Sequence, residues 1–299
     1  MHTLLPLPGR FVDLNGLNCH CLDAGSGEPV IMLHGNPSWS FYYRNLAMEL
    51  QERYRVIVPD HIGCGLSEKP PLDAYPYTLE RRVDDLELLL DRLGIDSAVT
   101  LVLHDWGGMI GMAWASRHPQ RVARLVILNT AAFPLPAAKP LPLALKICRN
   151  TALGAFLVLR CNLFARIAAR IGCRRRPLSA ELRAAYCAPY DTQAHRIATL
   201  RFVQDIPLAP GDPGYEIVSG VAAGLERFAD LPMLICWGLK DFVFDRHFLD
   251  EWRRRFPRAE VHPFADCGHY ILEDAAAEVI PLIEDFLARH PLPTAEERQ

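Results

Sequence analysis

Short apolar runs that alternate with longer helical segments are the feature that most constrains how this chain can fold. The alternation holds up to about residue 133 and returns from about residue 228. Strands that alternate with helices predict an α/β fold with a mostly parallel sheet that is covered by helices on both faces. The eight runs that predict strands are RFVDLNG, LNCHCLDAG, PVIMLHG, YRVIVPDH, AVTLVLHD, ARLVILNT, PMLICWG and AEVHPFAD.

Turn and helix signals support this division into elements. The first two runs predict a hairpin that turns at Asn15-Gly16. The segment TLERRVDDLELLLDRLG predicts an amphipathic helix that begins after Thr78 and ends near Gly94. The segment AAAEVIPLIEDFLARH predicts a closing helix.

The middle of the chain has a different character. Prolines cluster at 134–142, Leu-, Ala- and Arg-rich segments with helical spacing follow, and strand signals are weak. We therefore predict a first core part at 1–133, a helical cap at 134–227 and a second core part at 228–299. The cap is inserted after about the sixth strand, and we expect it to sit over one edge of the sheet.

Composition and charge narrow the possible partners and compartment. Half of the 299 residues are hydrophobic, enough for a sizeable core, and a net charge of −3 disfavours nucleic-acid binding. The nine cysteines are scattered without metal-type spacing, so we expect no metal site and a reducing compartment. We also expect no cofactor. Residues 1–11 do not resemble a signal peptide, and the apolar stretch 151–159 is too short to span a bilayer. The sequence thus predicts a cytoplasmic protein without a transmembrane segment.

The stretch LVLHDWGG places a carboxylate, Asp105, where a buried strand turns sharply into a helix. Such a turn presents its residue beyond the carboxyl ends of the strands, where ligands bind to parallel sheets. Gly107 and Gly108 would let the helix approach the strand closely. We therefore predict that Asp105 faces a pocket, in the position that serine takes in a G-x-S-x-G turn. The alternative is that Asp105 only caps the following helix.

Two further residues could act together with Asp105. Asp241 in WGLKDFVFD follows a predicted strand, and His269 in FADCGHYILED follows the last one. The chain order is therefore nucleophile, acid, histidine, which is typical of α/β-hydrolases. A histidine held by a carboxylate can activate water, although a lone loop histidine is more often structural. Asp245 is the competing acid, but we expect it to lie in the next helix.

Donors for a developing negative charge are predicted from the loop HGNPSWS and from the turn itself. Backbone N–H groups of Asn36 and Trp106 lie where this fold binds such charge. Both residues also carry side-chain N–H donors, which can converge on an anion without adding positive charge. The alternative is an ordinary loop asparagine and a core tryptophan.

Taken together, these motifs resemble the haloalkane dehalogenase branch of the α/β-hydrolase superfamily. The stretches that carry the resemblance are HGNPSWSFYYR, PDHIGCGLSEKP, VLHDWGG, WGLKDFVFD and GHYILED. The resemblance implies Asp105 as covalent nucleophile, His269 as base and Asp241 as the acid that orients it. It also implies Asn36 and Trp106 as the cradle for a halide or another leaving group.

A narrower resemblance involves the cap. LNTAAFPLP, YCAPYDTQAHRIATLRFVQDIPL and WGLKDFVFDRHFLDEW are similar to the β-lactone decarboxylases of bacterial long-chain olefin biosynthesis. This resemblance implies conversion of a long-chain cis-3,4-dialkyl-β-lactone to a cis-alkene and carbon dioxide, with other enzymes of a hydrocarbon-biosynthesis assembly as potential partners. The alternatives are a haloalkane dehalogenase and, less favoured, an epoxide hydrolase that uses Tyr186 and Tyr190 as its acid pair.

The cap sequence also indicates an apolar small-molecule substrate. Residues 141–171 carry apolar side chains at helical spacing, and most of that face is expected to pack on the core. Arg149, Arg160, Arg166 and Arg170 lie between them. The run Arg174–Arg176 is expected to be a solvated helix end, with an acidic partner or a membrane surface as the alternative.

Overall fold

The computed structural model describes residue 5 and residues 7–292. The expectation for residues 1–11 and the end of the second core part therefore fall partly outside the described residues. The strands are β1 Gly9–Asp13, β2 Asn18–Ala24, β3 Pro29–Leu33, β4 Arg55–Pro59, β5 Val99–Asp105, β6 Val122–Thr130, β7 Met233–Gly238 and β8 Glu260–Phe264. The α-helices are α1 Arg44–Leu50, α2 Leu79–Arg92, α3 Trp106–Arg117, α4 Leu143–Asn150, α5 Ala152–Leu159, α6 Leu163–Ile171, α7 Ala180–Cys187, α8 Ile197–Gln204, α9 Tyr215–Gly224, α10 Arg246–Arg255, α11 Ile271–Asp274 and α12 Ala276–Arg289.

The eight strands form one sheet in the order β1-β2-β4-β3-β5-β6-β7-β8. The first three strands in this order pair antiparallel, and all other neighbours pair parallel. The central strand β5 is buried along its whole length, and its Leu101 pairs with Ile31 on one side and Leu125 on the other. The prediction of a mostly parallel eight-stranded sheet is confirmed.

Helices cover both faces of this sheet because successive side chains of a strand point to opposite faces. Leu101 and Leu103 pack with residues of α2, α3, α9 and α10 on one face. Val102, between them, packs with residues of α1, α11 and α12 on the other. The apolar side chains of the parallel strands therefore belong to two separate hydrophobic layers, one on each face of the sheet.

The predicted hairpin turn and the predicted ends of α2 are confirmed by the structure. Asn15 and Gly16 have positive φ angles of 55° and 91° in the hairpin turn. Thr78 caps α2 by accepting a hydrogen bond from the backbone N–H of Arg81, and Gly94, with φ 65°, follows the end of that helix. Both patterns match the turn and capping chemistry of these residue types.

Six α-helices, α4 to α9, are inserted between β6 and β7. We call residues 134–227, which contain these helices, the cap; its exact boundaries stay a prediction. Buried polar contacts attach the cap to the core: the hydroxyl of Tyr186 donates to Glu273 at 2.6 Å, and Asp205 pairs with Arg82 at 3.2 Å. The cap therefore sits on the core through a few directional contacts as well as through apolar packing.

Two further findings concern cysteines and membrane spans. Cys19 and Cys21 are buried in β2, and all nine cysteines are free thiols. No single helix in residues 7–292 has the length and apolar composition to cross a membrane. Helices α5 and α6 have that length and composition only when taken together, and they are bent by 74° relative to each other.

Candidate active site

Asp105 occupies the turn between β5 and α3 in the conformation that the sequence predicts. Its φ of 51° and ψ of −125° are unusual for a residue other than glycine, and its carboxylate makes no capping hydrogen bond to α3. A Cβ atom at Gly107 would lie 2.0 Å from the carbonyl oxygen of Leu33, so the close approach of helix and strand requires glycine there. The alternative role of Asp105 as a simple helix cap is not supported.

The loop after β3 reaches the carboxylate of Asp105 from the opposite side. The backbone N–H of Asn36 donates to Asp105 Oδ1 at 2.6 Å. A Cβ atom at the preceding Gly35 would lie 1.9 Å from the same oxygen. Gly35 was not singled out from the sequence, although its place in HGNP, directly before Asn36, was a usable signal. Its missing side chain makes room for the carboxylate.

His269 connects the two carboxylates of the candidate site. Its Nδ1 donates to Asp241 Oδ2 at 2.7 Å, and its Nε2 lies 3.6 Å from Asp105 Oδ2. All three side chains are nine-tenths buried or more. Residues from the ends of β5, β7 and β8 thus meet at one edge of the sheet, because parallel strands bring their carboxyl ends together.

Asp241 is itself held by a second layer of contacts that the sequence did not reveal. Asn129, near the end of β6, donates through Nδ2 to Asp241 Oδ2 at 3.1 Å and accepts through Oδ1 from the backbone N–H of Gly238 at 2.8 Å. The backbone N–H of Val243 donates to Asp241 Oδ1 at 2.8 Å. The one available signal for Asn129 was a polar residue that ends an apolar strand.

His104 precedes Asp105 and supports His269 from behind. Its Nε2 donates to the backbone carbonyl of His269 at 2.9 Å, and its ring stacks on Tyr42 with 4.2 Å between ring centroids. Burial lowers the pKa of His104 well below its ordinary value, with the charge of His269 acting in the same direction. His104 is therefore a neutral donor that positions the backbone of His269.

The pKa values of Asp105 and His269 are both raised above their ordinary values, for different reasons. Burial raises the pKa of Asp105, while the charge of His269 and the nearby backbone N–H groups of Asn36 and Trp106 oppose that rise. Burial lowers the pKa of His269, but its charge interaction and hydrogen bond with Asp241, together with Asp105, raise it by more. Both protonated forms are therefore favoured relative to the same groups in water.

Asn36 and Trp106, the predicted leaving-group cradle, line the same cavity as Asp105 and His269. The side-chain Nδ2 of Asn36 donates to the carbonyl oxygen of Thr199 in α8 at 3.0 Å. A carbonyl oxygen only accepts, so this contact orients the amide and leaves its second N–H available. The backbone N–H of Asn36, expected to meet a developing anion, donates to Asp105 instead, because Gly35 brings the loop close to that carboxylate.

The cavity has a volume of about 360 Å³ and mostly apolar walls. Its polar wall consists mainly of the site residues already described. The remaining wall is apolar and comes largely from the cap, including Leu145, Leu157, Phe164, Ile171 and Ile206. The arrangement can therefore hold an apolar molecule against one carboxylate, one histidine and two N–H donors.

Two sequence alternatives are corrected by the structure. Tyr186 and Tyr190 do not line the cavity: their hydroxyls donate to Glu273 and to the carbonyl oxygen of Ser38, so they cannot serve as the acid pair of an epoxide hydrolase. Asp245 does not lie inside the next helix but caps it, and its carboxylate pairs with Lys139 at 2.6 Å. The Asp245 carboxylate is thus engaged by Lys139 and His247, and the carboxylate that contacts His269 Nδ1 is that of Asp241.

Comparisons with known proteins show the family to which this chain belongs. The family model for the alpha/beta hydrolase fold matches residues 28–276. A cis-3-alkyl-4-alkyloxetan-2-one decarboxylase of Shewanella oneidensis is 60% identical over 287 residues, covering 96% of this chain and 90% of that protein. A protein of the same name from Xanthomonas campestris is 50% identical, covering 95% and 97%.

More distant similarity extends to the dehalogenases. Haloalkane dehalogenase 2 of Mycobacterium tuberculosis is 30% identical, covering 94% of this chain and 95% of that protein. The crystal structure of haloalkane dehalogenase DatA from Agrobacterium tumefaciens superposes with a TM-score of 0.84 at 26% identity, covering 95% and 97%.

Proposed function

This chain belongs to the α/β-hydrolase family, among relatives that include cis-3-alkyl-4-alkyloxetan-2-one decarboxylases and haloalkane dehalogenases, and from that premise we propose that it is a β-lactone decarboxylase. An oxetan-2-one is a four-membered β-lactone. The proposed reaction converts a cis-3,4-dialkyl-β-lactone to a cis-alkene and carbon dioxide. The observation that carries the proposal is the Asp105 carboxylate at the wall of an otherwise apolar cavity, with His269 beside it.

In the first proposed step, Asp105 attacks the ring carbon that bears the lactone oxygen. A bond forms between a carboxylate oxygen of Asp105 and that carbon, while the ring carbon–oxygen bond breaks. The leaving group is the ring's own carboxylate, which stays attached to the adjacent carbon. The N–H donors of Asn36 and Trp106 lie at the same cavity wall and can stabilise this departing anion.

In the second step the tethered carboxylate leaves as carbon dioxide. Its carbon–carbon electron pair forms the alkene and expels Asp105 as a free carboxylate. No water, oxidant or reductant is needed, so atoms and electrons balance within the substrate and Asp105. Attack with inversion followed by anti elimination keeps a cis lactone cis. Attack at the lactone carbonyl, which would form an anhydride with Asp105, is the alternative first step.

The cavity walls support a substrate with two alkyl substituents. Apolar side chains from α4 to α6 and from the segment after β7, such as Leu145, Ile171 and Phe244, surround the space next to Asp105. Burying alkyl groups against such walls contributes about 0.8 kcal/mol per methylene, so the chains supply binding energy and the polar wall orients the ring.

Haloalkane dehalogenation is the second candidate function. It would use the same attack by Asp105 at an sp³ carbon, with halide as the leaving group. It would then require water, activated by His269, to hydrolyse the alkyl ester. The specific observation that favours it is the similarity to dehalogenases in sequence and structure.

Turnover in oxygen-18 water distinguishes the decarboxylase from the dehalogenase. The purified chain is incubated in oxygen-18 water with a long-chain cis-3,4-dialkyl-β-lactone and, separately, with a 1-haloalkane; Asp105→Asn serves as the control. We expect an unlabelled cis-alkene and one carbon dioxide per lactone, with weak or no halide release. A hydrolase would instead return a hydroxy acid that carries label after multiple turnovers. Rapid release of chloride or bromide without alkene formation would contradict the decarboxylase proposal and support the dehalogenase.

The cellular setting is part of the proposal. An apolar lactone and an apolar hydrocarbon product fit long-chain olefin biosynthesis in the cytoplasm, with other enzymes of a hydrocarbon-biosynthesis assembly as partners. Cell fractionation and purification of the tagged chain from its native host test both points. Recovery of the chain only from the periplasm would contradict the cytoplasmic location.

A further inference from the structure

Exposed apolar side chains are concentrated on three consecutive helices of the cap. Eight large hydrophobic residues are exposed among the described residues, and five of them lie on α4 to α6. We call these five the cap patch: Leu143, Leu153, Phe156, Leu163 and Ile167. The other three, Phe11, Met48 and Leu72, lie in separate parts of the core. Monomeric proteins commonly expose single apolar side chains, whereas a cluster of them indicates a contact surface.

The three helices that carry the cap patch pack against one another. Helix α4 packs against α5, and α5 packs against α6, so the five side chains belong to one layer of short helices. Three of these side chains face solvent by more than half: Leu143 by 72%, Leu153 by 61% and Phe156 by 54%. No part of the described chain covers them.

The same segment carries a strong and one-sided charge. Residues 141–176 contain eight Lys and Arg and no Asp or Glu, although the whole chain has a net charge of −3. Arg149 pairs with Asp212, and Arg175 pairs with Asp266 and Glu278. The remaining six cations form no ion pair within residues 7–292 and are exposed: Lys146, Arg160, Arg166, Arg170, Arg174 and Arg176.

The cap patch also borders the entrance to the cavity at Asp105. Leu163 and Ile167 are exposed to solvent and at the same time line the cavity. Ala144, on α4, is likewise exposed and lines it. The cavity therefore opens between α4 and α6, within the apolar and cationic surface.

We propose that the cap patch docks onto the surface of an anionic lipid bilayer, with the cavity mouth facing the acyl layer. A bilayer presents anionic phosphates next to an apolar layer, and this surface presents arginines next to apolar side chains. Long arginine side chains can reach the headgroups while their neighbours enter the acyl boundary. Four of the unpaired cations, Lys146, Arg160, Arg166 and Arg170, lie on α4 and α6 or at the end of α5, where basic residues attract an anionic leaflet.

Docking supplies a route for an apolar substrate. A molecule dissolved in the acyl layer could enter the cavity past Leu163 and Ile167 without crossing water. Bilayer binding itself does not depend on the proposed function; only the identity of the molecule delivered rests on it. Binding is therefore measured without any substrate, so that failure of one proposal can be told from failure of the other.

Vesicle sedimentation of the full-length chain tests the proposal. The protein is mixed with vesicles of phosphatidylcholine alone, or of phosphatidylcholine with about 30% phosphatidylglycerol, at low salt and at 0.5 M salt; the range is chosen because salt screens surface charge. We expect the protein to sediment with the anionic vesicles at low salt, and less at high salt or with phosphatidylcholine alone. A chain that stays in the supernatant with anionic vesicles at low salt overturns the proposal and leaves an acidic protein as the occupant to consider.

Two pairs of variants localise the binding. Leu153→Ser with Phe156→Ser removes apolar contacts from the patch. Its control is Phe11→Ser with Leu72→Ser, whose exposures of 62% and 50% match those of 61% and 54% in the patch. We expect the patch pair to weaken partitioning by about tenfold or more and the control pair to bind like wild type. Equal binding by the patch pair and wild type contradicts the proposal, as does equal weakening by both pairs.

The charge variants complete the test. Arg166→Gln with Arg170→Gln removes two unpaired cations from α6 and should weaken partitioning by about 30-fold at low salt. Its control is Arg246→Gln with Arg253→Gln, two exposed arginines on α10 of the core. Circular dichroism and thermal melting verify that each variant is folded. Binding that is insensitive to the α6 pair, or equally sensitive to both pairs, overturns the docking geometry.

Discussion

The two walls of the active-site cavity are built on opposite principles. On the core side, Asp105, His269 and Asp241 each contact a specific donor or acceptor within 2.6–3.6 Å. On the cap side, side chains such as Leu145 and Ile171 meet the cavity only through apolar surface. Directional contacts hold the reacting groups in one geometry, whereas apolar contacts adapt to a substrate's shape. We therefore expect the core to determine the chemistry and the cap to determine which molecule undergoes it.

The largest effect should come from the core wall. Asp105→Asn replaces the nucleophile by an amide of the same shape, so lactone turnover should fall on the order of 10⁴-fold or more. Asp245→Asn is the matched control, because Asp245 pairs with Lys139 rather than with His269. Steady-state alkene formation measures both variants. Substantial activity in a folded Asp105→Asn protein would exclude Asp105 as nucleophile.

The cradle should give the next largest effect. Asn36→Ala keeps the backbone N–H that donates to Asp105 and removes only the side-chain donor. We expect kcat to fall by about 10²–10³-fold, as for the loss of one oxyanion-hole donor. Thermal melting must show a folded protein, since the amide also contacts Thr199 in the cap. Wild-type kcat in this variant would remove Asn36 from the cradle.

The pH dependence of the two candidate reactions should differ. Burial raises the pKa of Asp105, with His269 and backbone N–H groups opposing it, and attack needs the carboxylate. Lactone turnover should therefore fall about tenfold per pH unit below that raised pKa. Burial lowers the pKa of His269, but Asp241 and Asp105 raise it by more, and ester hydrolysis needs the neutral ring. Any haloalkane turnover should therefore require two deprotonated groups, Asp105 and His269, whereas lactone turnover requires only the Asp105 carboxylate.

Profiles of kcat against pH for both substrates provide the measurement. Asp105 itself must titrate in either reaction, so wild-type lactone turnover is the internal reference. An acid limb of lactone turnover that also shows two titrating groups would mean that His269 acts as a base in both reactions, contrary to the two-step route without water.

A cap substitution should change binding more than chemistry. Leu145 is buried between the cavity and Leu141 and Val203. Leu145→Ala should raise KM for long-chain lactones by about fivefold, since about 1 kcal/mol of apolar contact is lost, and leave kcat nearly unchanged. Leu72→Ala, on the exposed surface of the core, is the control. A large drop in kcat with unchanged KM would show that the cap takes part in the chemistry.

The smallest effect on activity is expected at Tyr186. Its hydroxyl donates to Glu273, which also pairs with Arg44, and it does not reach the cavity. Tyr186→Phe should lower the free energy of unfolding by about 1–2 kcal/mol and change kcat by less than about twofold. Denaturant unfolding and lactone assays measure the two quantities. A severe loss of kcat would indicate that Tyr186 takes part in the reaction.

Much of the site could be predicted because its signals are local. The elbow at Asp105 is marked by an apolar run before it and by Gly107 and Gly108 after it, all within a few residues. Asp241 and His269 follow recognisable strands, and the family resemblance supplied their roles. The sequence analysis did not identify Gly35, Asn129 and His104. Each of them acts on a residue that is distant in sequence, and the residues around each one do not indicate which partner folding will bring near it.

Sequence patterns alone predict the alternation of strands and helices, the insertion after the sixth strand and the chain order of the candidate triad. These features depend on periodicity and turn chemistry, which are written within short windows. The packed structure was needed to show that His269 contacts Asp241 and not the competing Asp245. It was also needed to show that Tyr186 and Tyr190 lie away from the cavity and that the cavity mouth opens through the cap patch. Such choices depend on distances between segments far apart in the chain, and those distances are set by how strand ends and helices pack.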